Sequence, residues 1–347
     1  MNSVRNKNRI LYIDLLKGFS ICCVVLGHVL DGYIESNMWP KINDALGTLF
    51  RLIYAFHMPL FFMISGYLYQ LAYFDGKGKP KKEKIKAHVI DFTIVYIAFS
   101  SLMWGSKLIL HNSVNNAVSV WDLLLIWAVP MPTYWYLYVL MVFYGIFSIP
   151  AISNSNIKFL VPGLVTFCVL SSWISRETYF QIHRLMYYML FFWCGMQKQK
   201  NQNIRIFEKH YVFIEVIIAL ICLISLWKSN YRLDGVPIAN MVIALGISCS
   251  IWYVVEQTSH FVEGYITMLI TWIGTYTLEI YVAHCFIAAS FRISQRKIGL
   301  LNPILCIVLN TVICILLPIV GSSILKWGGM REIIFRPYTQ LFRQKIK

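Results

Sequence analysis

Acidic residues are scarce in this sequence, with 16 Asp and Glu against 31 Lys and Arg in 347 residues. Charged residues of both signs make up only 14%, where a soluble domain carries about 25%. An ordinary water-soluble globule is thereby excluded, because its surface needs far more polar cover. The nine cysteines all lie in apolar stretches and form no CxxC pair, so neither a disulfide framework nor a zinc framework is indicated. They read as small buried hydrophobes. There is no GxSxG elbow, no HExxH pair and no Walker A loop, which removes the nucleophile-elbow hydrolases, the zincins and the P-loop NTPases. Internal repeats are absent, and the longest loops, 31–49 and 111–133, are only about twenty residues. No appended soluble domain is therefore expected, and any chemistry must sit within or between helices.

What the chain has instead is apolar length. It is 58% hydrophobic with a mean hydropathy of +0.61. Apolar runs recur at about 10–30, 50–72, 88–110, 134–152, 158–175, 183–197, 211–228, 238–255, 265–290 and 301–325. Most match a helix crossing a hydrocarbon core about 30 Å thick. The run at 183–197 is short, and 265–290 is long enough to tilt or stop early. The first run carries charges and lacks a small-x-small cleavage site after residue 30, so it is not read as a removable signal peptide. The expectation is an all-α polytopic bundle of about ten transmembrane helices. It forms a single domain over 1–347, with tails at 1–9 and 326–347 around a bundle at 10–325.

Ten spans put both termini on one side. Lys and Arg number three in the N-terminal tail, six in the loop GKGKPKKEKIK (76–86), one at Lys158, four in 197–210 and six from Lys326 onward, 20 in all. The opposite loops hold ten: Lys41, Arg51, Lys107, Arg176, Arg184, Lys228, Arg232, Arg292, Arg296 and Lys297. The positive-inside rule then predicts cytoplasmic termini and a multi-pass protein of the cell (inner or plasma) membrane. The same asymmetry accounts for the net charge of +15 without nucleic acid. Membrane lipids are the expected partners of the basic loops, and a basic rim also suits a phosphate-rich donor.

Ionisable groups at membrane depth cost about 2.5–3.5 kcal/mol each on insertion scales, so their placement is informative. The first run, DLLKGFSICCVVLGHVL (14–30), holds Asp14, Lys17 and His28. At about 100° per residue, these three fall within an arc of about 60°, and Lys17 and His28 are separated by about 16 Å of rise. Asp14 and Lys17 stand at i, i+3 and can pair. An interfacial salt bridge plus a headgroup-level histidine is the bland alternative. FHMPLFFMISGYLY (56–69) places His57 near the expected level of His28, and Pro59 is expected to break that helix above Ser65 and Tyr67. PTYWYLYVL (132–140) with Trp135 fits an aromatic belt. TYTLEIYVAHCF (275–286) puts Glu279 and His284 about 140° apart, on different faces of one helix. Arg184 is expected near the outer surface, either snorkelling or meeting an anion.

These motifs, in this order, resemble the acyltransferase-3 family of integral membrane acyltransferases. RILYIDLLKGFSICCVVLGH resembles the family's opening motif, a basic residue and a histidine separated by ten residues, met here by Lys17 and His28. FHMPLFFMISGYLY is similar to its second-helix signature, YWYLYVL to its aromatic stretch, and LEIYVAHCF to its late Y-x-x-H helix. Many relatives have arginine where this chain has Lys17, which keeps the charge but not the bidentate fork. Larger relatives carry a fused extracytoplasmic domain, which this chain is not expected to have.

The resemblance implies an O-acyltransferase, expected to be an O-acetyltransferase. Its donor would be acetyl-CoA or another acyl-CoA from the cytoplasm, a substrate rather than a bound cofactor. Its acceptor would be a hydroxyl of a surface polysaccharide or lipid-linked oligosaccharide. His28, Lys17 and Asp14 would be the catalytic set, with His28 as general base or transient acyl carrier. His57, Ser65, Tyr67, Trp135, Glu279, His284 and Arg184 would shape the donor and acceptor cavity, and no metal is expected. The residues alone also permit a transporter or flippase for a lipid-linked sugar or small metabolite.

Overall fold

The computed structural model describes residues 11–342 except 77, 110–117, 154–156, 175–178, 201–212, 215, 218–219, 221–236, 260–263 and 300–301. The described residues are almost wholly helical, and the one β-type pairing is an isolated bridge between Phe74 and Pro80. Five helical stretches are long and apolar enough to cross a membrane: α1 (Leu11–Glu35), Pro40–Tyr73, α4 (Lys82–Ile109), Ala239–Thr258 within α10 (Pro237–Thr258), and α13 (Pro303–Trp327). A sixth is added if α11 (Tyr265–Gly274) and α12 (Thr277–Lys297), bent by 85° at their junction, form one span.

The expected spans at 134–152 and 158–175 correspond to the shorter helices α6 (Trp135–Phe147) and α8 (Ile157–Leu170), the second closed by a 3-10 turn at Ser171–Trp173. The expected span at 183–197 is α9 (Ile182–Lys200), which carries Arg184, Lys198 and Lys200. The run at 211–228 falls largely outside the described residues, as do Arg176, Lys228 and Arg232.

Several helix ends follow from local chemistry. At α5 (Val120–Leu125), Ser119 and Asp122 form a reciprocal capping box. α13 starts where Asn302 accepts the backbone N–H of Leu305 at 3.0 Å, with Pro303 in the first turn. Pro59 does not break a helix, as expected from sequence, but lies in the first turn of α3 (His57–Tyr73). The break lies just before it, between α2 (Asn43–Tyr54) and α3, where Phe56 leaves helical geometry. In a first turn the N–H that proline lacks would have had no partner within the helix, so proline is tolerated there.

α1 is the hub, with α2, α3, α10, α11, α12 and α13 all packed on it. Its centre is buried and largely apolar, with Leu16, Ile21, Val25 and Leu30 fully buried. Two crossings are close enough to require glycine. A Cβ on Gly195 of α9 would overlap the carbonyl oxygen of Met63 on α3, and one on Gly66 would overlap that of Phe192. Gly18 of α1 and Gly274 of α11 meet in the same way, against the carbonyls of Ile270 and Asp14. Without a hydrophobic force between helices in lipid, such small-residue contacts supply the van der Waals grip. The outer stripe of α13, including Leu305, Val308, Val312, Leu316 and Val320, stays exposed and apolar, while Cys306, Asn310, Cys314 and Ser322 turn inward. That face suits lipid, and the chain is an integral membrane protein.

One end of the bundle gathers Tyr12, Tyr67, Lys198 and Glu256, with Tyr12 donating to Tyr67 at 3.0 Å and Lys198 paired to Glu256 at 3.0 Å. The other end gathers Tyr33, Gln295 and Cys306, where Tyr33 donates to the Gln295 side chain. The segment 326–342, expected as a tail, is helical in α14 (Arg331–Phe335) and α15 (Pro337–Leu341). It docks on α4, where Asp91 accepts the backbone N–H groups of Tyr338 at 2.7 Å and Thr339 at 3.1 Å.

Candidate active site

Lys17 is held by Asp14 at 3.0 Å, as the i, i+3 spacing predicts, and its side chain remains 22% exposed. It faces a cavity of about 550 Å³ at the Tyr12 end of the bundle. Ser65 of α3, Tyr136 of α6, and Glu279 and Tyr281 of α12 line the same space, as do His88, Arg331, Glu332 and Arg336. The junction residues Gly274, Thr275 and Thr277 also face it. A discontinuous helix is tolerated at membrane depth where its opened backbone lines a cavity, and α12 starts there without a side-chain cap. Glu279 is buried and accepts from Arg331 Nε at 2.8 Å, from a second guanidinium nitrogen, and from the Ser322 hydroxyl at 3.3 Å. Ser65 and Tyr136 share a 2.6 Å hydrogen bond deeper in the wall.

Beyond Tyr281 stands a cluster of imidazoles. The ring of His284 lies 6.2 Å from that of Tyr281, one turn earlier on α12, and 5.2 Å from that of His28 on α1. His284 Nδ1 lies 3.0 Å from the carbonyl of Ile280. A carbonyl oxygen only accepts, so Nδ1 carries the hydrogen and Nε2 keeps its lone pair. That lone pair lies 3.2 Å from the Cys285 sulfur. His57 makes the same arrangement, its Nδ1 at 2.8 Å from the Ile53 carbonyl. Tyr54, at the break between α2 and α3, lies between the two sets, its ring 4.5 Å from His57 and 6.3 Å from His28. Donor atoms of His28, His284 and Cys285 all lie within 4.8 Å of one another, a spacing that could also hold a metal ion.

The residues singled out from sequence therefore separate. Asp14, Lys17, Ser65 and Glu279 belong to or border the cavity, and His28, His57 and His284 form the imidazole cluster. Glu279 and His284 take different faces of α12, as their wheel angle requires. Tyr67 does not line the cavity but turns to Tyr12 and to Trp252, whose ring centre is 5.5 Å away. Trp135 and Arg184 also stand apart, with the guanidinium over the indole at 4.3 Å and bonded to Gln181. Sequence reasoning did not single out His88, Arg331, Arg336, Tyr54 or Tyr136. Arg331 and Arg336 were counted only as charges of a tail, and nothing local marks them as returning to the cavity.

With this geometry in view, the family described as an acyltransferase domain matches residues 10–322, most of the chain. The nodulation protein NolL of Mesorhizobium japonicum is 25% identical over 255 residues, covering 67% of this chain and 61% of that protein. NolL of Sinorhizobium fredii is 49% identical over 61 residues, 18% of this chain and 16% of that protein. The chain thus spans less than two thirds of the length of these relatives. No solved structure matches it.

Proposed function

Because the chain belongs to the acyltransferase-3 family, we propose that it is a membrane-integral O-acyltransferase that moves an acetyl group from cytoplasmic acetyl-CoA to a hydroxyl of an extracytoplasmic or lipid-linked surface glycan. The observation that carries this reading is the single continuous helix α1, with Lys17 at the cavity and His28 against His284. Lys17, Arg331 and Arg336, set against Glu279 and Glu332 in the same lining, offer cations to the donor's phosphates. The narrow pantetheine arm follows the wall past Ser65, Tyr136 and Tyr281, which points the thioester towards the imidazoles. On the positive-inside reading of the basic loops, the cavity faces the cytoplasm.

In this reaction the acceptor hydroxyl enters from the His28 end. His28 takes its proton as the oxygen attacks the thioester carbonyl carbon. The tetrahedral intermediate collapses, the C–S bond breaks, and the departing CoA thiolate regains the proton from the imidazolium. His284, fixed by Ile280, holds its Nε2 lone pair towards this region and keeps the pair in register. Glu279 anchors Arg331 over the cavity, and Asp14 aims Lys17.

Two measurements test the reading. Purified protein given acetyl-CoA and an acceptor glycan should release free CoA thiol. Cells expressing His28→Ala at normal protein level should lose surface-glycan acetate. Undiminished acetate would remove His28 from the chemistry. Movement of the acceptor without CoA release would make the protein a transporter instead.

A further inference from the structure

On the far side of the imidazoles from the donor cavity, α1 and α12 continue with charges that the reaction above does not use. Asp31 stands one turn beyond His28 on α1, and Arg292 two turns beyond Cys285 on α12. Gly32 brings the two together, for a Cβ there would overlap an Arg292 guanidinium nitrogen. The guanidinium therefore lies across the bare backbone of α1, beside Asp31. Both side chains are half-buried, and among the described residues neither makes a hydrogen bond or an ion pair within 4.0 Å. Asp31 is an electrostatic neighbour of Tyr54 and Cys285, and Lys107 of α4 is one of Cys285 and Glu35. An acidic and a basic group so close, each an electrostatic neighbour of the other and neither hydrogen-bonded, can both reach a ligand at this half-exposed end of the two helices.

We infer that Asp31 and Arg292, joined across Gly32, form the acceptor subsite and hold the hydroxyls that flank the one to be acylated. This rests on the acyl-transfer reading and assigns two residues to the binding of its saccharide acceptor. The charges favour such an acceptor. Asp31 offsets Arg292, so the pair has no net charge to select an anion. A carboxylate accepts from neighbouring hydroxyls, and a guanidinium donates to ring and hydroxyl oxygens. Asp31 lies about 21 Å of helical rise beyond Lys17, so acceptor and donor bind at separate ends of α1.

The test measures CoA release while varying a saccharide fraction extracted from cells lacking the gene. Asp31→Asn, Arg292→Gln and Gly32→Ala should each raise the half-saturating saccharide concentration about tenfold or more. The half-saturating acetyl-CoA concentration and the melting temperature should stay unchanged. Gly32→Ala is the arm least exposed to misfolding, since it keeps both charges and only displaces the guanidinium. Arg296→Gln, an exposed cation on the same helix, should leave saccharide dependence as it is. Saccharide half-saturation within about twofold of wild type in all three variants, or an equal rise for acetyl-CoA, overturns the inference while leaving acyl transfer intact. A wild-type protein that releases no CoA when the fraction is added overturns the acyl-transfer reading and the subsite with it.

Discussion

Lys17→Ala should weaken donor binding and leave the chemical step alone. A lysine and a phosphate about 4 Å apart attract by about 4 kcal/mol at the effective dielectric of a protein surface. Two facts of the site reduce that. Asp14 already sits 3.0 Å from the ammonium, and the Lys17 side chain keeps 22% of its surface exposed. A net loss of about 1–2 kcal/mol is expected, which is about a 5–30-fold rise in the half-saturating acetyl-CoA concentration. The turnover number should change by less than about threefold, because the ammonium lies about 16 Å of helical rise from His28. Lys17→Arg should keep most of the affinity, and the wild-type half-saturation should rise with added salt. The assay is thiol release from acetyl-CoA at saturating acceptor. A half-saturation unchanged within twofold would refute the assignment of Lys17 to donor binding. So would a loss of turnover with donor affinity intact, which would move Lys17 to the reacting atoms.

Two further outcomes test other parts of the account. Gly195→Ala places a methyl group against the Met63 carbonyl at the crossing of α3 and α9 and should cost about 1–3 kcal/mol, read as a lower melting temperature in detergent; an unchanged melting temperature would mean the crossing is looser than described. Dialysis against a strong chelator should leave turnover intact if His28 is a base, whereas a loss restored by zinc would make His28, His284 and Cys285 ligands of a metal instead.

Much of α1 was legible in the sequence because helical geometry carries its own arithmetic. The i, i+3 spacing of Asp14 and Lys17 predicts their pairing, and the three charges share one face whatever surrounds them. The separate faces of Glu279 and His284 follow from the same arithmetic. What α12 meets did not follow. Nothing in LEIYVAHCF says that His284 packs on His28, or that Glu279 binds an arginine some fifty residues later, because those contacts depend on how helices cross. Crossings are set by residues such as Gly18 and Gly66, whose role is to be small, and a glycine reads alike whether it packs or merely turns. Tyr67 went astray for a similar reason, since its ring follows Tyr12 and Trp252 rather than the cavity. Arg331 and Arg336 lay in a short polar stretch that hydropathy assigns to a tail, and their return depends on Asp91 holding α15 against α4.

The two interruptions in the bundle gain meaning when set beside the unbroken α1. The junction of α11 and α12 bends by 85° at the level of Lys17, and its residues face the donor cavity. The junction of α2 and α3 falls at the level of His28 and presents Tyr54 and His57 to the imidazole cluster. A continuous helix satisfies its own backbone and can show a cavity only side chains, whereas a break also offers backbone groups. Each break thus stands where the proposed reaction needs polar surface, one at the phosphates and one at the acyl group. Between them α1 stays apolar and fully packed at Ile21, Val24 and Val25. The two ends lie about 16 Å of helical rise apart and share no partner among the described residues, so a change at Lys17 and a change at His28 should act on different steps, and in the double variant their effects on free energy should add.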